Sequence, residues 1–196
     1  MARKKSIRLA ATSFVKTADD LEEFVKRSIV DLSKREQSWC YDYAIIALYR
    51  AFEDLMLSVI VGAINNDSST ISQSTGVTFP KHLTDEVCEY LVVGGGYFDF
   101  KGRPGLIKLI KRYVPSTHYL VGTIKKEKYK DTLDQLSALR NFAAHGGPVA
   151  KRAALVATGQ HRLDTSGSWL KVNKRYLKIS GSLKALALEI RASAPY

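Results

Sequence analysis

Acidic residues are scarce in one half of this chain. Residues 101–196 hold 5 Asp/Glu against 19 Lys/Arg, whereas residues 1–100 hold 14 against 11. The whole chain carries a formal charge of +11. Such asymmetry points to one face that meets a polyanion, with nucleic acid ahead of membrane. Cysteine is almost absent. Cys40 and Cys88 lie far apart in apolar helical patterns, which reads as two buried thiols in a reducing cytoplasm rather than a disulfide. His82, His118, His145 and His161 are scattered, so no metal-ligand spacing emerges and no cofactor is expected. Gly94-Gly95-Gly96 lacks the downstream Gly-Lys-Ser/Thr of a phosphate loop and reads as a turn. Ser137 has no nucleophile elbow around it. No sustained apolar run follows the basic N-terminus, which argues against a secretory signal.

Long uncharged apolar runs are missing too. Gln37 to Asn65 is apolar on almost every side, but Arg50, Glu53 and Asp54 fall in its middle. Each would cost about 3 kcal/mol inside a bilayer, so the segment reads as a central helix covered by neighbours, and no membrane partner is expected. Asp42, Ile46, Tyr49 and Glu53 share one face of it, with Arg50 adjacent. Buried charges need partners, so this face is expected to meet an active site, another charged helix, or its own internal ion pairs.

What is present is helical periodicity. At 196 residues the chain suits one domain. The reading is a flexible basic arm over residues 1–16 and a single helical domain over 17–196. The expected class is all-α, an up-and-down helical bundle with a small β-hairpin near residues 160–178. Thr17 and Asp20 read as the start of the first helix. Thr84 opens a short helix, Pro104 another, and Lys125–Lys130 opens a long one through Leu133, Leu136, Leu139 and Phe142. A helix follows Pro148. Asp164-Thr165-Ser166-Gly167 supplies the hairpin turn signal, and a last helix runs from about Ser182 to Ala192.

The long helix closes on Leu139-Arg140-Asn141-Phe142-Ala143-Ala144-His145-Gly146-Gly147. Metal-free RNA cleavage needs a base for the 2′-hydroxyl, a cation for the phosphorane, an acid for the 5′-oxygen and an in-line backbone. His145 has the residue type that titrates nearest working pH. Arg140 offers a permanently charged planar fork, and Asn141 can position ribose, phosphate or imidazole by its amide. Asn141 and His145 share a helix face, whereas Arg140 and His145 lie roughly 140° apart around the axis. The plain alternatives are a C-terminal cap for His145, an ion pair with Asp134 for Arg140, and a capping amide for Asn141. Lys108, Lys111 and Arg112 beside Tyr113, with Lys125, Lys126 and Lys128 beside Tyr129, interleave charge and aromatics as RNA-binding surfaces do; solvated helix faces carry the same pattern.

Arg140-Asn141-x-x-x-His145 resembles the R-N-x-x-x-H signature of the HEPN superfamily, strongest over residues 125–148. Tyr49-Arg50-Ala51-Phe52-Glu53-Asp54-Leu55 resembles the second-helix pattern of HEPN subfamilies with an acid near the site, with Glu53 the best match and Asp54 the next. The Gly94–Phe100 break before the Pro104 helix is similar to variants in RNA-repair and stress-defence settings. Residues 149–196 match no such pattern. The resemblance implies a helical, metal-independent endoribonuclease that leaves a 2′,3′-cyclic phosphate. His145 would be general base or acid, Arg140 would stabilise the transition state, Asn141 would position and Glu53 support. It further implies a homodimer through the motif helix, RNA as partner, a toxin or defence role, and an antitoxin or regulatory protein as a further partner. The alternative is a non-catalytic HEPN-like module that binds RNA or protein.

Overall fold

The fold is given by a computed structural model that describes residues 5–195, and every regular element among them is helical. Ten α-helices follow one another: α1 (Ile7–Ser28), α2 (Lys34–Asn66), α3 (Ser69–Thr75), α4 (Asp85–Val93), α5 (Gly102–Ile110), α6 (Tyr119–Lys125), α7 (Lys130–His145), α8 (Pro148–Thr158), α9 (Ser166–Leu170) and α10 (Arg175–Ser193). A single 3-10 turn at Glu127–Tyr129 precedes α7. No helix among the described residues is long and apolar enough to cross a membrane.

The 33-residue α2 is the centre of the structure. Ser33 and Glu36 form a capping box at its start, the Ser33 N–H donating to Glu36 Oε2 at 2.8 Å. Ile45, Leu48, Phe52, Met56, Val59, Ile60 and Ile64 are fully buried along it. They find cover because α1, α4, α7 and α9 pack around the helix. Each such side chain contributes about 1.5–3 kcal/mol when removed from water.

The expected basic arm is largely absent. Ser6 caps α1 by accepting from the Leu9 N–H at 3.3 Å, and Ile7, Ala11, Phe14, Ala18 and Val25 form a buried stripe against α2 and α10. The steps of three and four residues put these apolar groups on one face. The charges beside them stay outside: Lys5 pairs with Glu89 at 2.7 Å, and Arg8 donates to the Ala194 carbonyl at 3.0 Å. Residues 1–4 of that arm lie outside the described residues.

The hairpin near residues 160–178 is also corrected, since no strand occurs there. Thr165 instead caps the one-turn helix α9, accepting from the Ser168 N–H at 3.0 Å while Ser168 Oγ answers the Thr165 N–H. The cause is tertiary. The Gly167 N–H donates to Asp42 Oδ1 at 2.6 Å, and Ser166 Oγ donates to the Leu139 carbonyl at 2.7 Å. α9 is thereby wedged between α2 and α7. Three further elements differ from expectation: α3 and α6 stand in segments read without helices, and α10 begins at Arg175. Cys88 is buried, while Cys40 is only partly so.

Candidate active site

Helix α7 ends as its sequence suggests. Gly146 adopts φ 63°, and its N–H bonds back to the Phe142 carbonyl; a glycine takes this left-handed conformation without Cβ strain. Leu133, Leu136, Leu139 and Phe142 bury one stripe of the helix. That anchoring turns Arg140 toward α2.

Arg140 is held on two sides. Its Nη1 donates to Asn141 Oδ1 at 2.7 Å, and its guanidinium carbon lies 4.5 Å from the centre of the Tyr49 ring. A neighbouring pair on a helix does not ordinarily face one another, and here the length of the arginine stem closes the gap. Asp134, the carboxylate expected to compete for Arg140, instead accepts from the Arg103 N–H at 3.0 Å and pairs with Lys130 at 3.5 Å.

Tyr49 fastens the cleft wall. Its buried hydroxyl is shared between Asp99 Oδ1 and the Phe100 carbonyl, each at 3.1 Å, and its ring stacks on Phe100 with 5.4 Å between centroids. Burial, with the charges of Glu53 and Asp99 nearby, pushes the Tyr49 phenol well above its ordinary range. It therefore stays protonated at working pH.

One turn along α2, Glu53 is half-buried, and its Oε1 has no hydrogen-bond partner among the described residues. Burial pushes the Glu53 carboxyl up to about 7; the Arg140 guanidinium pulls it down, and Asp99 and Asp54 push it further up. A carboxyl that exchanges its proton near neutrality beside a fixed cation is equipped for acid–base work. Arg140 and Glu53 open into a cavity of about 700 Å³ between α2, the end of α4 and the 94–100 loop, where Arg50, Asp54 and Asp99 also point.

The structure thus brings together Arg140, Asn141 and Glu53. Asn141 also lines a second groove of about 680 Å³ on the other side of α7, floored by Ala138, Ala153 and Val156. His145 is exposed at the helix end, one turn past Asn141 and outside the lining of both hollows. The six basic residues expected to bind RNA are less uniform. Lys108, Lys111, Arg112 and Lys125 are exposed around α5 and α6, whereas Lys126 and Lys128 form ion pairs with Glu189 of α10. None of the six lines the Arg140 cavity.

Two residues of the site have no role assigned to them by the sequence. Tyr49 stands on the same face as Glu53, a spacing that marks it as a neighbour without naming its role. Asp99 sits in an irregular segment with no periodicity, bonded to Tyr49 and lining the cavity with Glu53 and Arg140. Comparison with protein-family models, curated proteins and solved structures yields no match for this chain.

Proposed function

We propose that this chain is a metal-independent, HEPN-like endoribonuclease that leaves 2′,3′-cyclic phosphate ends. The observation that carries the reading is the Arg140 guanidinium, held by Asn141 and the Tyr49 face beside a Glu53 carboxyl that titrates near 7. In this reading Arg140 takes the charge that develops on the scissile phosphate. A fixed planar cation does so without reorganising. Asn141 holds Arg140 by its oxygen, leaving its amide nitrogen for ribose or phosphate. The exposed His145 moves a proton to or from the reacting oxygens, and Glu53 supports the charge balance around Arg140. Because Arg140 and His145 leave α7 on different sides, a second α7 across the cleft completes the pair of proton-transfer groups. A homodimer follows from this requirement, and the resemblance of the Arg140–His145 motif carries the further proposal of a toxin or defence effector under control of an antitoxin or regulatory protein.

Incubating purified protein and its His145→Ala variant with total RNA in excess EDTA tests the proposal. Cleavage by the unmodified protein, reduced about 100-fold or more in the variant, with cyclic phosphate ends, is the expected result. Equal cleavage by both overturns it. A second reading, a non-catalytic RNA- or protein-binding module, draws on the acidity of the cavity. Asp54, Glu89 and Asp99 share it with Arg50 and Arg140, an unwelcoming lining for a phosphate. That reading predicts binding without turnover in either protein.

A further inference from the structure

Helix α2 carries an exposed stripe that its role as the central helix leaves unused. Arg35, Trp39 and Tyr43 follow at steps of four, and Arg50 stands two turns further on, so all four share one side. Trp39 is 54 % exposed and Tyr43 59 %, and one helical turn apart they form a contiguous exposed aromatic patch of the kind that marks a binding surface. The Arg35 guanidinium lies 5.0 Å from the Trp39 ring centre, and the Phe24 edge props Tyr43 with 5.8 Å between centroids. Arg35 thus covers one face of the Trp39 ring, Phe24 meets Tyr43 in a T-shaped contact, and more than half of each of the two aromatic residues stays exposed. The stripe leads directly into the Arg140 cavity, which Ile46 and Arg50 line.

Charge favours an anion along this stripe and not beyond it. Asp42 is the one acid between Glu36 and Glu53, and it is turned inward and bonded to the Gly167 N–H. The acids Glu53, Asp54, Glu89 and Asp99 gather at the far end, in the cavity that Arg50 and Arg140 share. A polyanion lying along Arg35, Trp39, Tyr43 and Arg50 meets cations and aromatic faces. One continuing past Arg140 meets carboxylates. From Trp39 to Arg50 the helix rises about 16 Å, enough for a few nucleotides.

We infer that this face of α2 is a stacking track for single-stranded RNA, with bases on Trp39 and Tyr43 and the backbone delivered to Arg140. The inference rests on the ribonuclease reading and adds to it the substrate form, an unpaired strand, and the direction of its approach. Stacking needs an accessible base face, which a duplex does not offer. Alternating cations and aromatic rings are the physical means by which single strands are held with little sequence preference.

The test is binding of a fluorescently labelled, unstructured RNA 12-mer to the full-length His145→Ala chain, compared with the same chain also carrying Trp39→Ala and Tyr43→Ala. The expected result is about a tenfold or larger loss of affinity, with Trp39→Phe and Tyr43→Phe retaining most of it. Binding should quench the tryptophan emission of the His145→Ala chain, and Trp39→Phe, which leaves only the nearly buried Trp169, should abolish the quench. That second readout stands even where the double variant folds poorly. Unchanged affinity, or no quench, overturns the track. Conversion of a dimer to a monomer by the double substitution, with RNA affinity unchanged, assigns the face to a second copy of the chain instead. Cleavage separates the two proposals. Histidine-dependent cleavage with an unchanged KM in Trp39→Ala/Tyr43→Ala, on an otherwise unmodified chain, overturns the track alone. Stacking without any cleavage by the unmodified protein overturns the ribonuclease alone.

Discussion

The Arg140 guanidinium lies over the face of Tyr49, 4.5 Å from the ring centre, while the Tyr49 hydroxyl holds Asp99 and the Phe100 carbonyl. One tyrosine thus orients the cation and ties down the loop that walls the cavity. Arg140→Lys keeps the positive charge but loses the planar fork and the stacking. Under the ribonuclease reading, kcat should fall about 100-fold with little change in KM, measured under single-turnover and steady-state conditions. Tyr49→Phe leaves the buried Phe100 carbonyl without its partner and should cost about 1–3 kcal/mol, visible as a lower midpoint in urea unfolding.

Glu53 gives a pH signature in stability. Its carboxyl is raised from 4.5 to about 7 in the folded chain, so between those values the folded state holds a proton that the unfolded state has released. Stability therefore falls as pH rises through this window, and the penalty is complete above about 7. Glu53→Gln removes it. The variant should be more stable than the parent at pH 8, by about 1–2 kcal/mol after allowance for solvent screening of a half-exposed group, and similar to it at pH 4.5. Thermal midpoints at the two pH values check this. A constant difference between the proteins would argue against titration of Glu53.

Gly167 is where α9 presses on α2. A Cβ built there would stand 1.8 Å from the Ser38 carbonyl oxygen, with the Asp42 nitrogen at 3.0 Å. Neither is the end of a flexible side chain. Gly167→Ala must push α9 outward and pull the Gly167 N–H from Asp42, whose carboxyl burial already holds above its ordinary range. A loss of about 3 kcal/mol is expected, read from chemical denaturation. An unchanged midpoint would mean that α9 is not docked in this manner.

Ile7 is fully buried against Gly62, where an added Cβ would lie 2.9 Å from Ile7 Cγ1. Ile7→Ala should therefore cost about 2–5 kcal/mol, the range for truncating a large aliphatic group in a packed core. A flexible arm would tolerate the change within about 0.5 kcal/mol, so urea titration distinguishes the two.

The amino-acid order by itself determined the all-helical class, the apolar and covered character of α2, and the closure of α7 at Gly146. These are local properties: a 3.6-residue period, caps and glycine stops act through neighbours a few residues away. The same locality placed Tyr49 and Glu53 on one face and put Arg140, Asn141 and His145 at one helix end. Only tertiary structure decided the rest. The first turns of α1 were masked by their basic flank, because nothing in a local pattern reveals that Ile7 will meet Gly62. Thr165-Ser166-Gly167 carries turn chemistry that suits a hairpin or a helix cap equally, and Asp42, 125 residues away from Gly167, selects the cap. Asp99 and Arg140 come to Tyr49 from separate segments, and burial of Glu53 beside them brings its carboxyl up to about 7 against the opposing pull of Arg140. Burial and the placement of charges in space have no counterpart in the order of residues.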